Sequence, residues 1–113
     1  MPYDGDPDHP IIERPWEYEI VGLCYRRDLD SWADSSIDLT LQKGYLRRCL
    51  RFLGPRHIEI TEIFPNTSGL CILDVSKRRL DGLRVRVANF EAHGGCPTFW
   101  AREVLERDVS DRG

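Results

Sequence analysis

Along most of this chain apolar and polar residues alternate with a period of two. Ile37, Leu39 and Leu41 are separated by Asp38, Thr40 and Gln42, which predicts a strand with one buried face. Leu83, Val85 and Val87 alternate with Arg84, Arg86 and Ala88 and form the clearest strand of all. Ile58 and Ile60 stand against Glu59 and Thr61, which predicts another strand over 57–64. The segment WEYEIVGLCY from Trp16 mixes aromatic and β-branched residues, the side chains that fit a pleated surface. The run GLCILDV, residues 69–75, is short and continuously apolar. It predicts a central strand buried on both faces.

Two segments fit more than one pattern. Residues 45–53, YLRRCLRFL, place Leu46, Cys49, Leu50 and Leu53 on one helical face, with Gly54-Pro55 as a stop. As a strand, Leu46, Leu50 and Phe52 alternate with Arg47, Cys49 and Arg51, and Arg48 breaks the alternation. The Lys43-Gly44 turn and the shortness of the segment favour a hairpin arm. Residues 98–107 have good helix formers, a Thr98 cap and a Glu103–Arg107 pair. A strand is preferred here too, because a short connection favours an antiparallel neighbour.

Together these elements predict a mainly β domain of six or seven short, mostly antiparallel strands. They would form a curled sheet, small barrel or sandwich, with room for one short helix as in a β-rich α+β fold. Turn and loop residues cluster at 26–36, 65–69 and 92–98. Trp32, inside the first of these, is expected to pack on the core. Residues 1–15 carry four prolines and several aspartates and read as a flexible acidic tail, pinned by Ile11 and Ile12. The single globular domain is expected over 16–107, with 108–113 fraying.

The chain has 113 residues, 41% hydrophobic and 31% charged, enough for one core. No apolar run approaches the ~20 residues of a membrane span. No export signal is readable at the N-terminus, so a soluble, cytoplasmic protein with no membrane partner is expected. Cys24, Cys49, Cys71 and Cys96 are then expected as reduced and mostly buried thiols.

The formal net charge of −3 is unevenly spread. Residues 1–40 hold ten acids and three arginines, whereas 41–58 hold Lys43, Arg47, Arg48, Arg51 and Arg56 with no acid. Ion pairing between these stretches within the fold is the simplest reading. A sequence pI near 5.6 speaks against nucleic acid as the partner.

Motifs for chemistry are missing. His93 and Cys96 are the one close His/Cys pair, but a zinc site needs four ligands, usually from two such pairs. A Cys nucleophile would also need an oxyanion hole and an orienting third group. No glycine-rich phosphate loop and no GxSxG occur. The residues therefore predict no cofactor, no metal site and no catalytic set.

A binding surface is the sharper expectation. If Leu83, Val85 and Val87 face the core, the opposite parity carries Arg84, Arg86 and Phe90. A neighbouring 98–105 strand would add Trp100 and Arg102 to that face. Arginine and aromatic side chains together are typical of protein-recognition patches. The expected function is thus a non-enzymatic protein-binding module, acting on a protein partner or as a homodimer. The alternative is a small-molecule-binding or hydrolytic domain, with a pocket formed by Trp32 or Trp100, His93 and nearby acids.

Overall fold

A computed structural model describes residues 7–59, 69–78, 82–89 and 97–107. Alternation of apolar side chains produces eight strands among them: β1 (Glu19–Arg26), β2 (Ser36–Lys43), β3 (Leu46–Leu53), β4 (Arg56–Glu59), β5 (Leu70–Asp74), β6 (Val85–Asn89), β7 (Thr98–Ala101) and β8 (Glu103–Arg107). The strands form two four-stranded antiparallel sheets, ordered β1-β2-β3-β8 and β4-β7-β6-β5. Helical structure among the described residues is limited to three single 3-10 turns, at Pro15–Glu17, Trp32–Asp34 and Ser76–Arg78. The fold is the mainly β architecture read from the sequence, as two packed sheets with no closed barrel.

Both ambiguous segments are strands. Segment 98–107 counts as two, because it bends at Arg102 and passes from one sheet to the other. Its partner does the same. β3 leaves the first sheet at Leu53, turns through Gly54-Pro55, and enters the second as β4. The two corners are tied to each other by the Arg102 N–H, which donates to the Leu53 carbonyl at 2.8 Å, and the first is tied to the start of β2 by the Gly54 N–H, which donates to the Ser35 carbonyl at 2.9 Å. Gly54 has φ +60, a left-handed conformation that glycine adopts without a Cβ penalty. Strands that switch sheets at a bend are how packed sheets make their corners.

The core lies between the sheets. Ile37, Leu39 and Leu41 of β2 and Leu50 and Phe52 of β3 face Val85 and Val87 of β6 and Phe99 of β7. Phe52 and Phe99 meet edge to face, with centroids 5.0 Å apart and planes at 84°, an arrangement that suits the aromatic quadrupole.

Arg48 has the same parity as Leu50 and Phe52, which is why it breaks the pattern in β3. Its guanidinium makes a two-pronged pair with Glu106 at 2.7 and 2.8 Å and donates to the Ile11 carbonyl. An inward-facing cation is tolerated there because a carboxylate and a backbone carbonyl hold the guanidinium, whose side chain stays 21% exposed.

β5 is buried along four of its five residues, as its apolar run predicts, but it ends the sheet order rather than lying at its centre. Residues 7–9 cover its outer edge. The Asp74 N–H donates to the Pro7 carbonyl at 2.8 Å and the His9 N–H to the Ile72 carbonyl at 2.9 Å. Asp8 bridges Leu73 in antiparallel register. Ile12 is 2% exposed, so the isoleucine expected to pin the N-terminal segment sits in the core.

Candidate functional site

The outer face of β4-β7-β6 is built by register. Arg86 is the Cα partner of Trp100, and Trp100 is the partner of Arg56. Directly opposed residues share a face of a sheet. Their inward neighbours Val85, Val87, Phe99 and Ala101 are buried, so the row Arg86–Trp100–Arg56 faces outward. The guanidinium carbon of Arg86 lies 5.1 Å from the Trp100 ring centroid. Both distances and chemistry fit a cation–π pair.

The row continues into the corner. The Arg56 guanidinium carbon lies 4.0 Å from the Trp32 ring centroid. Trp32 does not enter the core as its indole suggested; it is 38% exposed and lies over Gly54. A Cβ on Gly54 would come within 2.9 Å of Trp32 Cζ3 and 2.8 Å of Arg102 Cδ. The bare backbone of Gly54 is thus the shelf on which Trp32 and the Arg102 stem both rest. A bulge helps to shape β4. His57 has φ +56, and the pairing shifts between Arg56 and Glu59, which accentuates local twist.

The result is a strip of alternating arginine and tryptophan: Arg86, Trp100, Arg56, Trp32 and Arg102. Of the residues singled out in the sequence, Arg86, Trp100 and Arg102 belong to it. Arg84 is exposed just before β6, on the parity of Arg86. Phe90 lies outside the described residues. No signal in the sequence places Trp32 and Arg56 in this patch: Arg56 belongs to the basic run and Trp32 to an acidic loop, and only their packing joins them.

The remaining basic run is engaged elsewhere. Lys43 pairs with Glu17 at 2.6 Å, Arg51 with Asp38 at 2.8 Å, and Arg48 with Glu106. Arg107 reaches the same Asp38 at 2.9 Å, and Arg47 donates to Gln42. The acidic first third thus supplies partners for Lys43 and Arg51. Hydrogen bonding from Arg51, with a further one from Arg107, holds the Asp38 carboxyl below its ordinary range. By contrast, Arg56, Arg84 and Arg102 form no ion pair with another described residue.

Two open clefts border the N-terminal segment. One, of about 500 Å³, is lined by Asp8, His9, Glu13, Arg14 and Trp16 among others. The other, of about 390 Å³, is lined by Glu13, Arg14, Glu17, Tyr18, Lys43 and Arg48. Neither includes Trp32 or Trp100 in its wall. Burial pushes the His9 imidazole below its ordinary pKa, against an opposing effect of Asp74. Its Nδ1 accepts the Ile11 N–H at 3.1 Å. His93 and Cys96, the pair weighed for chemistry, lie outside the described residues. Cys71 is buried, whereas Cys49 is half-buried and Cys24 exposed, because both sit on the outer parity of the first sheet. No group of three or more candidate metal ligands converges among the described residues. No helix of the described residues is long and apolar enough to cross a membrane.

Compared with known protein families, curated proteins and solved structures, the chain matches none of them.

Proposed function

We propose that this protein is a non-catalytic protein-binding module whose working surface is the arginine–tryptophan strip on the outer face of β4-β7-β6. One observation carries the reading: the register sets Arg86 opposite Trp100 and Trp100 opposite Arg56. Large planar side chains held on a sheet lose little rotamer entropy on binding, and Trp and Arg dominate interface hot spots. A second copy is the poorer occupant. A two-fold interface centred on the strip would bring like surfaces together, and the strip holds no carboxylate to meet the arginines of the copy.

The test uses the protein tagged in its native host. Arg84→Glu with Arg86→Glu, and separately Trp100→Ala, should each remove a co-purifying protein partner. The melting temperature should move by only a few degrees, in line with ~0.5–1 kcal/mol at surface positions. Retention of the partner by both variants would overturn the assignment.

A further inference from the structure

We infer that the strip recognises an acidic, extended polypeptide segment, a conclusion that rests on the binding-module reading above. An arginine lying against an indole satisfies its flat face, while its N–H donors point outward in the guanidinium plane. Those donors form a rigid fork that matches a carboxylate. The Arg56 guanidinium carbon lies 4.0 Å from the Trp32 ring centroid. Arg56 is therefore oriented before any partner arrives.

Charge points the same way. Arg56, Arg84 and Arg102 form no ion pair with another described residue. Two acids close to them in sequence, Glu59 and Glu103, make none with them either. Elsewhere in the same small domain, Arg48, Arg51 and Arg107 are matched with carboxylates at 2.7–2.9 Å. Arg56, Arg84 and Arg102 thus bring three cations without a carboxylate partner to this side of the domain, in a chain that is acidic overall. A row across three strands also suits an extended chain, whose alternate side chains reach successive positions.

Single-stranded nucleic acid is the competing class, since Arg and Trp also bind stacked bases. The geometry favours polypeptide. Trp32 and Trp100 each already carry a guanidinium over the ring, so a base would have to displace it to stack there. The net charge of −3 opposes a polyphosphate backbone as well.

The experiment measures fluorescence anisotropy of four labelled probes with the purified full chain. They are a twelve-residue peptide alternating Glu with apolar residues, its Gln counterpart, its Lys counterpart and a dT12 oligonucleotide. The Glu peptide should bind at least ten-fold more tightly than the other three, and its affinity should fall as salt rises. Arg56→Gln with Arg102→Gln should weaken it at least ten-fold, whereas Arg47→Gln, at the far end of β3, should leave it unchanged. Circular dichroism melts would confirm that the variants fold. Equal binding of Glu and Gln peptides, lost on Trp100→Ala, would overturn the acidic class and keep the binding surface. Tighter binding of dT12 would replace polypeptide with nucleic acid. No binding of any probe would overturn this inference, leaving the module reading to be judged by partner retention.

Discussion

Arg56 and Trp32 stack at 4.0 Å although they arrive from different parts of the fold, one from the start of β4 and the other from the 3-10 turn before β2. Their contact therefore reports whether the corner is assembled. A double-mutant cycle with Trp32→Ala and Arg56→Ala, read by urea denaturation, should give a coupling energy of about 0.5–1 kcal/mol. A coupling within error of zero would show that the stack contributes nothing to stability.

The corner itself depends on Gly54. Gly54→Ala must accept a left-handed φ of +60 and place a Cβ within 3 Å of both Arg102 Cδ and Trp32 Cζ3. Gly44 supplies the control. It has φ +59, as a tight hairpin turn requires, but nothing within 4 Å of a built Cβ. Gly44→Ala should cost about 1 kcal/mol from backbone conformation alone. Gly54→Ala should cost more, by roughly 1 kcal/mol for the displaced side chains. Equal costs in denaturant titrations would mean that Trp32 and Arg102 move aside freely.

Asp38 gives the first sheet an acid-sensitive lock. It accepts bonds from Arg51 at 2.8 and 3.0 Å and from Arg107 at 2.9 Å, with Arg51 the larger cause of its lowered pKa. The folded carboxyl holds its proton less well than the unfolded one, so this contribution is present above the ordinary value of 3.8 and lost as pH falls below it. Glu106, lowered by its bond from Arg48, acts in the same direction from 4.5 downward. Asp38→Asn should lower stability at pH 7 by about 1 kcal/mol, a modest figure because the cluster is partly solvated. The difference from the unaltered protein should shrink below pH 3.8. A constant difference from pH 7 to pH 3 would contradict the assignment.

The N-terminal segment should loosen at a higher pH. His9 accepts the Ile11 N–H at Nδ1, which requires that nitrogen to be unprotonated. Burial lowers its pKa from 6.5, so the folded state prefers the neutral ring. Docking is then complete above pH 6.5 and weakens as pH falls below that value. Hydrogen exchange should show reduced protection of the His9 and Asp74 backbone amides at pH 5.5 relative to pH 7.5, after correction for intrinsic rates. His9→Gln should remove the pH dependence. Unchanged protection factors would rule out a titrating strap.

What sequence alone determined is parity. Side chains alternate strictly along a strand, so the inward set of Ile37, Leu39, Leu41, Val85 and Val87, and the outward Arg86, follow from order in the chain. Tertiary structure decided which outward residues meet. Arg56 joins Trp100 through a pairing between residues more than forty positions apart, and Trp32, more than twenty positions earlier in the chain, joins Arg56 because Gly54 leaves room for its ring. The bend at Arg102, the inward pair of Arg48 with Glu106, and the cover of residues 7–9 on β5 are of the same kind. Local periodicity reports the face a residue takes. It holds no record of the register between distant strands, because register is set by which packing of the whole core buries most apolar surface.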